Sequence, residues 1–304
     1  MFTITLRQLH YARIIAEEGH FGRAATRCHV TQPALSQQIK LLEERCNAPI
    51  FERLGKSVRP TRFGRDFLAR ATRVMEAARD LESFADMATG HPARPLRFGL
   101  IPTVAPYLLA DILPAIAESV PTVTLAVSEG KTDRLIAALQ DGEVDFALVA
   151  TPPPKAGFVS RTLFADPFVL AAPRGTVPEG PVDPVDLPRD RLLLLEEGHC
   201  LRDQAVDACS LPSDLEGRTF AATSLTTILE LVANGYGVTL LPAISLKRES
   251  GHGGIAIHRL KAPGASRTLR LVWRSASPHG HVYEEIAAVI AEVGQAALRS
   301  DWAG

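Results

Sequence analysis

The sequence predicts a two-part α/β protein: a small helical head carrying a β-wing, a long connecting helix, and a larger body in which strands and helices alternate. Three observations carry this reading. The 304 residues exceed the size at which a single core usually stops growing, and a hydrophobic content of 46% is enough to fill more than one. Charge is unevenly spread: residues 1–62 hold ten Lys or Arg against five Asp or Glu, whereas residues 91–304 hold 19 against 24. The apolar pattern also changes from helical to alternating strand-like and helix-like runs after the stiff, polar stretch His91-Pro92-Ala93-Arg94-Pro95.

A basic head on an acidic body suits contact with a polyanionic backbone through the head alone. An ordinary solvated surface gives the same count, so the motifs decide. No run of about 18 uncharged apolar residues occurs, and the first twenty residues lack the basic, apolar and small-residue segments of a secretory leader. A cytoplasmic chain with no membrane partner is expected. Four cysteines in such a compartment do not suggest a disulfide framework. CxxC, HExxH, GxGxxG, P-loop and GxSxG patterns are all missing, so neither a metal site, nor a cofactor, nor serine hydrolysis is expected.

In the head, Leu6, Leu9, Ile14 and Ile15 predict a helix over 5–18, and a second starts near Phe21 with Ala24 and Ala25 small enough for close packing. Thr31 suits the N-cap of a third, with Pro33 in its first turn, where a missing N–H is harmless. Leu35, Ile39 and Leu42 form its buried stripe, leaving Gln32, Ser36, Gln37 and Lys40 to reach base edges and phosphates. Asn47 tolerates the left-handed conformation that ends a helix. Residues 49–53 and 57–61 read as two strands of a wing around Gly55-Lys56, with Arg53, Lys56 and Arg59 along a DNA backbone. From Thr61 to about Met87 the apolar positions Phe67, Leu68, Ala71, Val74, Met75 and Ala78 recur at helical spacing. A lone helix of that length cannot bury such a stripe in its own domain, so pairing with a second copy is expected.

In the body, strands are expected at 96–101, 123–128, 145–150, 168–172, 192–195, 238–241 and 269–273. Helices are expected at 107–120, 133–140, 225–233 and 281–299, and the alternation implies a mostly parallel sheet. Ligands of such sheets sit at strand C-terminal ends and helix N-termini, where Thr103 and Thr132 fall; helix capping explains either hydroxyl equally well.

The most informative stretch is LLLLEEGHCLRDQAVDAC, residues 192–209. Cys200 is flanked by His199, Arg202 and Asp203 rather than by core residues, and a cation beside a thiol favours the nucleophilic thiolate. If residues 200–209 are helical or loosely coiled, Cys200 and Cys209 have Cα atoms about 13 Å apart. A disulfide needs roughly 4.4–6.8 Å, so joining them requires local refolding. Closing a loop of about ten residues is worth roughly 2–3 kcal/mol, similar to repacking costs, so two conformations can be nearly balanced. Two buried structural cysteines are the plainer alternative.

FGRAATRCHVTQPALSQQIKLLEE resembles the winged helix-turn-helix of the LysR-type transcriptional regulators; one departure follows at Cys46-Asn47, where a Leu-Gly-like pair is more usual. Its Ala-Ala…Thr-Gln-Pro-x-Leu-Ser string is specific. The resemblance implies Gln32, Pro33, Ser36 and Gln37 in the DNA groove, Thr31 and Arg53 on phosphates, and double-stranded DNA as partner. It further implies a DNA-binding domain over 1–61, a dimerising linker helix over 62–90, and a two-lobed periplasmic-binding-protein-like regulatory domain over 91–304. The first lobe would cover about 96–163 and 268–304, the second about 164–267. The string Gly-His-Cys-Leu-Arg-Asp-Gln-Ala before Cys209 resembles the OxyR-type hydrogen-peroxide sensors, a branch of that family. Ile101-Pro102-Thr103-Val104, Ala222-Thr223-Ser224-Leu225, Leu240-Leu241-Pro242-Ala243 and Trp273-Arg274 share this similarity. It implies Cys200 as peroxidatic and Cys209 as resolving thiol, with Thr103, Thr132, His199, Asp203 and Arg274 around the peroxide. A homodimer or homotetramer contacting RNA polymerase, and no enzyme role, follow from the same likeness. Cys28 falls where such sensors also carry a cysteine; packing explains it and Cys46. Competing expectations are a regulator whose small-molecule effector binds between the lobes, and a thiol peroxidase with a DNA-binding appendage.

Overall fold

The computed structural model describes residues 3–54, 57–87, 94–154, 156–183, 186–187, 191–208, 222–249, 251, 253–261 and 265–302. The chain divides into two compact units, Met1–Ala85 and Asp86–Gly304.

In the first unit, α1 (Leu6–Glu18) opens with a capping box between Thr5 and Gln8 and ends on left-handed Gly19. His20 caps α2 (Phe21–Arg27), its Nδ1 accepting the Gly22 N–H at 2.9 Å. α3 (Gln32–Cys46) begins after Thr31, whose backbone is extended as an N-cap requires but whose hydroxyl makes no capping bond. It closes on Asn47 at φ 49°, as its sequence suggested. Ile14, Ile15, Ala24, Ala25, Leu35, Ile39, Leu42 and Ile50 form one buried cluster between the three helices. The wing is an antiparallel pair, β1 (Phe51–Leu54) and β2 (Ser57–Pro60), in register Phe51 with Pro60. Glu43 fastens it to α3 by accepting the N–H groups of Ile50 (2.8 Å) and Phe51 (3.0 Å). α4 (Arg62–Met87) starts where the Thr61 hydroxyl donates to the Pro49 carbonyl (2.7 Å) and accepts the Gly64 N–H (2.8 Å). Gly64 is obligatory there, because any Cβ would collide with the Ile50 carbonyl. Ala71 and Met75 pack on Leu9, while Phe63, Val74 and Leu81 stay exposed.

The second unit carries β3 (Leu96–Leu100), α5 (Ala105–Ser119), β4 (Leu125–Glu129), α6 (Thr132–Gln140), β5 (Phe146–Val149), β6 (Phe158–Pro173), α7 (Cys200–Ala208), α8 (Leu225–Ala233), β7 (Thr239–Pro242), α9 (Leu246–Glu249), β8 (Ile255–Arg259), β9 (Ser266–Arg274) and α10 (Gly280–Trp302). Strand order is β4-β3-β5-β9-β6-β7, with β8 also on β6. Among the ladders of the described residues, β3 pairs in parallel with β4 and β5 and those of β6 and β9 are antiparallel, so the expected mostly parallel sheet is mixed. The reason is β6. Its residues 158–167 pair with β9 in a first lobe, and 168–173 pair with β7 and β8 in a second. The start of β6 was invisible in the sequence because Ser160, Arg161 and Thr162 are exposed there and spoil the apolar period. Leu192–Leu195 is not a regular strand but makes two single bridges, to Val238 and Ala222. One apolar core runs from Leu96 and Phe98 in the first lobe to Leu225, Ile228 and Ile255 in the second, and a smaller cluster around Leu170, Leu192 and Val238 backs the second lobe.

Candidate functional site

After Leu195 the chain turns at Gly198 (φ 85°) and enters α7 at Cys200, its first residue. Cys200 is a half-buried free thiol against the main core. The charge expected from His199 is not supplied: burial, then the Lys131 ammonium, push its pKa down against the pull of Glu196, keeping the imidazole neutral. Arg202 turns back to donate to the Leu195 carbonyl at 3.3 Å.

Two contacts pin this turn to the first lobe. Lys131, just before α6, donates to Glu196 Oε1 (2.7 Å) and to the Glu197 carbonyl (2.9 Å). Gln204, one turn into α7, donates to the Ala150 carbonyl at the end of β5 (2.9 Å). Beneath lie the C-terminal ends of β3 and β5. Thr103, just past β3, is buried; its hydroxyl and carbonyl accept from Arg267 Nη1 (2.7 Å) and Nη2 (3.0 Å). Arg267 Nε donates to Asp166 (2.9 Å), whose other oxygen accepts the Ile244 N–H (3.1 Å). This ion pair is wholly buried, and burial raises the Asp166 pKa despite the guanidinium that opposes it. Thr132 opens α6 beside Lys131, and its buried hydroxyl has no hydrogen-bond partner among the described residues; neither has Gln204 Oε1.

Lys131 thus brings the start of α6, with Thr132, to the turn that carries His199 and Cys200, while Thr103 past β3 is held by Arg267. Arg274 does not join them. It lies seven residues beyond Arg267 on β9, about 24 Å along an extended strand, and its guanidinium caps the Leu139 carbonyl at the far end of α6 (2.7 Å). The guanidinium that holds Thr103 is Arg267, which sequence reading missed. A signal was present: Arg267 shares the buried phase of β9 with Leu269, Leu271 and Trp273, and a charge in an apolar phase demands a partner. Lys131 was missed too, its partners lying 65 residues on. Asp203 is exposed on α7. Cys209 lies outside the described residues; α7, which Cys200 opens, runs to its neighbour Ala208.

In the head, Thr31, Gln32, Pro33 and Gln37 are exposed and Ser36 half-exposed, opposite the buried Leu35, Ile39 and Leu42. Arg53 lies in β1, its side chain outside the described residues. Cys28 and Cys46 pack against the head core, and burial pushes both thiols up, towards the protonated form.

Residues 6–65 match the lysR-family bacterial regulatory helix-turn-helix, and residues 89–295 match the LysR substrate binding domain. The chain belongs to the LysR family, and it is a DNA-binding transcriptional regulator rather than an enzyme. It is similar to the hydrogen peroxide-inducible genes activator of Pectobacterium carotovorum, 38% identical, covering 95% of this chain and 96% of that one. It is 37% identical to the DNA-binding transcriptional dual regulator OxyR of Escherichia coli K12, covering 94% and 95%. Among solved structures, a full-length Pseudomonas aeruginosa OxyR with a cysteine-to-aspartate substitution superposes with a TM-score of 0.73 at 35% identity, covering 94% and 97%. A hydrogen-peroxide-bound Corynebacterium glutamicum OxyR cysteine-to-serine mutant gives 0.65 at 33%, covering 98% and 95%.

Proposed function

We propose that this chain is a cytoplasmic hydrogen-peroxide sensor that controls oxidative-stress genes through reversible Cys200–Cys209 disulfide formation. The observation that carries the reading is Cys200 at the start of α7, in a turn that Lys131 ties to the start of α6, where the Thr132 hydroxyl is buried without a partner among the described residues. Hydrogen peroxide both donates and accepts hydrogen bonds in a small volume. Thr132 can do either, Gln204 Oε1 accepts, and the Thr103 hydroxyl, accepting from Arg267, keeps its proton to donate. The Cys200 thiolate attacks one peroxide oxygen; the S–O bond forms as O–O breaks, and the departing hydroxide takes a proton to leave as water. Sulfur is oxidised by two electrons and peroxide reduced. With α7 unwound, the Cys209 thiol attacks the Cys200 sulfur, forms S–S and expels the second water. A cellular dithiol returns both to thiols.

Refolding of residues 200–208 releases the Gln204 latch and changes the surface of the body. In a homodimer joined through α4, or a tetramer of two such dimers, this re-spaces the α3 helices on double-stranded DNA and alters contact with RNA polymerase. The peroxide-related names of the relatives support this reading. The test is footprinting of Cys200→Ser with and without brief low-dose peroxide. DNA binding should persist and the peroxide-dependent shift vanish. A variant whose footprint still shifts would return the assignment to an effector bound between the lobes.

A further inference from the structure

We propose that Lys131 is a positioning residue of the thiol site. From the first lobe it grips both the side chain of Glu196 and the carbonyl of Glu197, and so fixes the turn that presents His199 and Cys200 to peroxide. This rests on the peroxide-sensing reading and adds to it a residue outside the candidate set.

Two halves of the grip differ in kind. The bond to the Glu197 carbonyl orients backbone immediately ahead of left-handed Gly198, and the bond to Glu196 draws in a carboxylate whose Oε1 lies 3.8 Å from His199 Nε2. Gly198 itself lies under the lysine stem: a Cβ there would come within 3.2 Å of Lys131 Cδ. The turn is therefore clamped by a side chain from another element of the fold. The same ammonium acts on His199 electrostatically, lowering its pKa while Glu196 raises it, so the imidazole reads the state of the clamp. Lys131 and Glu196 keep 39% and 36% of their side-chain surface exposed, so both can be altered without opening a core. For the same reason solvent screening limits the effect to a few-fold.

The clamp also divides the segment. Lys131 holds residues 196–197, upstream of the thiol, whereas α7 downstream must unwind for the disulfide. The arrangement keeps the reacting sulfur in place while its partner travels.

The test uses the full chain. Lys131→Met, Lys131→Arg and Glu196→Gln are compared with wild type by stopped-flow peroxide oxidation of Cys200, by trapping of its sulfenic acid, and by NMR titration of His199. Lys131→Met and Glu196→Gln should each slow oxidation about three- to fivefold, and Lys131→Arg should restore most of the rate. The His199 midpoint should move in opposite directions, up in Lys131→Met and down in Glu196→Gln, although both break one ion pair. A merely structural tie would lower Tm and leave rate and titration unmoved, which would overturn the proposal. Should wild-type Cys200 itself fail to react, the sensor reading falls instead, a separate outcome.

Discussion

Arg267 shows how much one buried charge commits. Its guanidinium spends every described bond on Thr103 and Asp166, and neither it nor Asp166 meets water. Arg267→Met should therefore cost about 3–5 kcal/mol, because Asp166 is left buried and unpaired. Pairing it with Asp166→Asn should recover part of the loss in a thermal melt. His199 gives a second prediction. Its folded pKa lies below the ordinary 6.5, so between the two values the unfolded chain binds more protons. Stability from this group is complete above about 6.5 and is lost as pH falls towards the folded value; melts from pH 7.5 to 5 should show a falling arm that His199→Asn flattens. Most of the site was legible as residue types: cysteine beside histidine, and hydroxyls at strand and helix ends. Which of the three arginines on β9 reaches Thr103 was not, because Trp273-Arg274 drew attention as a motif while Arg267 announces itself only by its phase.

Elements were legible where the apolar period was clean, as in α1, α3, α8 and α10. They were not where a strand changes surroundings midway, as β6 does, or where packing replaces pairing, as at Leu192–Leu195. The junction of wing and α4 depends on a single missing side chain. Gly64→Ala forces the Ile50 carbonyl to move, breaking the Thr61 cap and the start of the wing together. It should destabilise the head by about 2–3 kcal/mol and weaken binding to a DNA duplex, read by anisotropy, while leaving Cys200 oxidation unchanged. α7 shows a different economy. It is only nine residues long, and a helix so short gains its stability from neighbours rather than from itself. Leu201 and Ala205, buried in two apolar clusters, and the Gln204 latch supply those contacts.

At the scale of the whole molecule, the exposed Phe63, Val74 and Leu81 leave α4 with an apolar flank that its own unit does not cover. The double substitution Val74→Ser, Leu81→Ser should weaken self-association at least about tenfold, the worth of roughly 1.4 kcal/mol, in sedimentation experiments, and reduce affinity for paired half-sites more than for one. The body raises another point. β6 belongs to both lobes without a break, β9 accompanies its first ten residues, and one core passes through the junction. A frame spliced by a continuous ribbon resists the jaw-like swing by which bilobal receptors swallow a ligand. Such a frame transmits a signal better when a short coil on its flank rewinds than when its halves tilt, and a covalent bond made in that coil supplies the rewinding without any bulky guest.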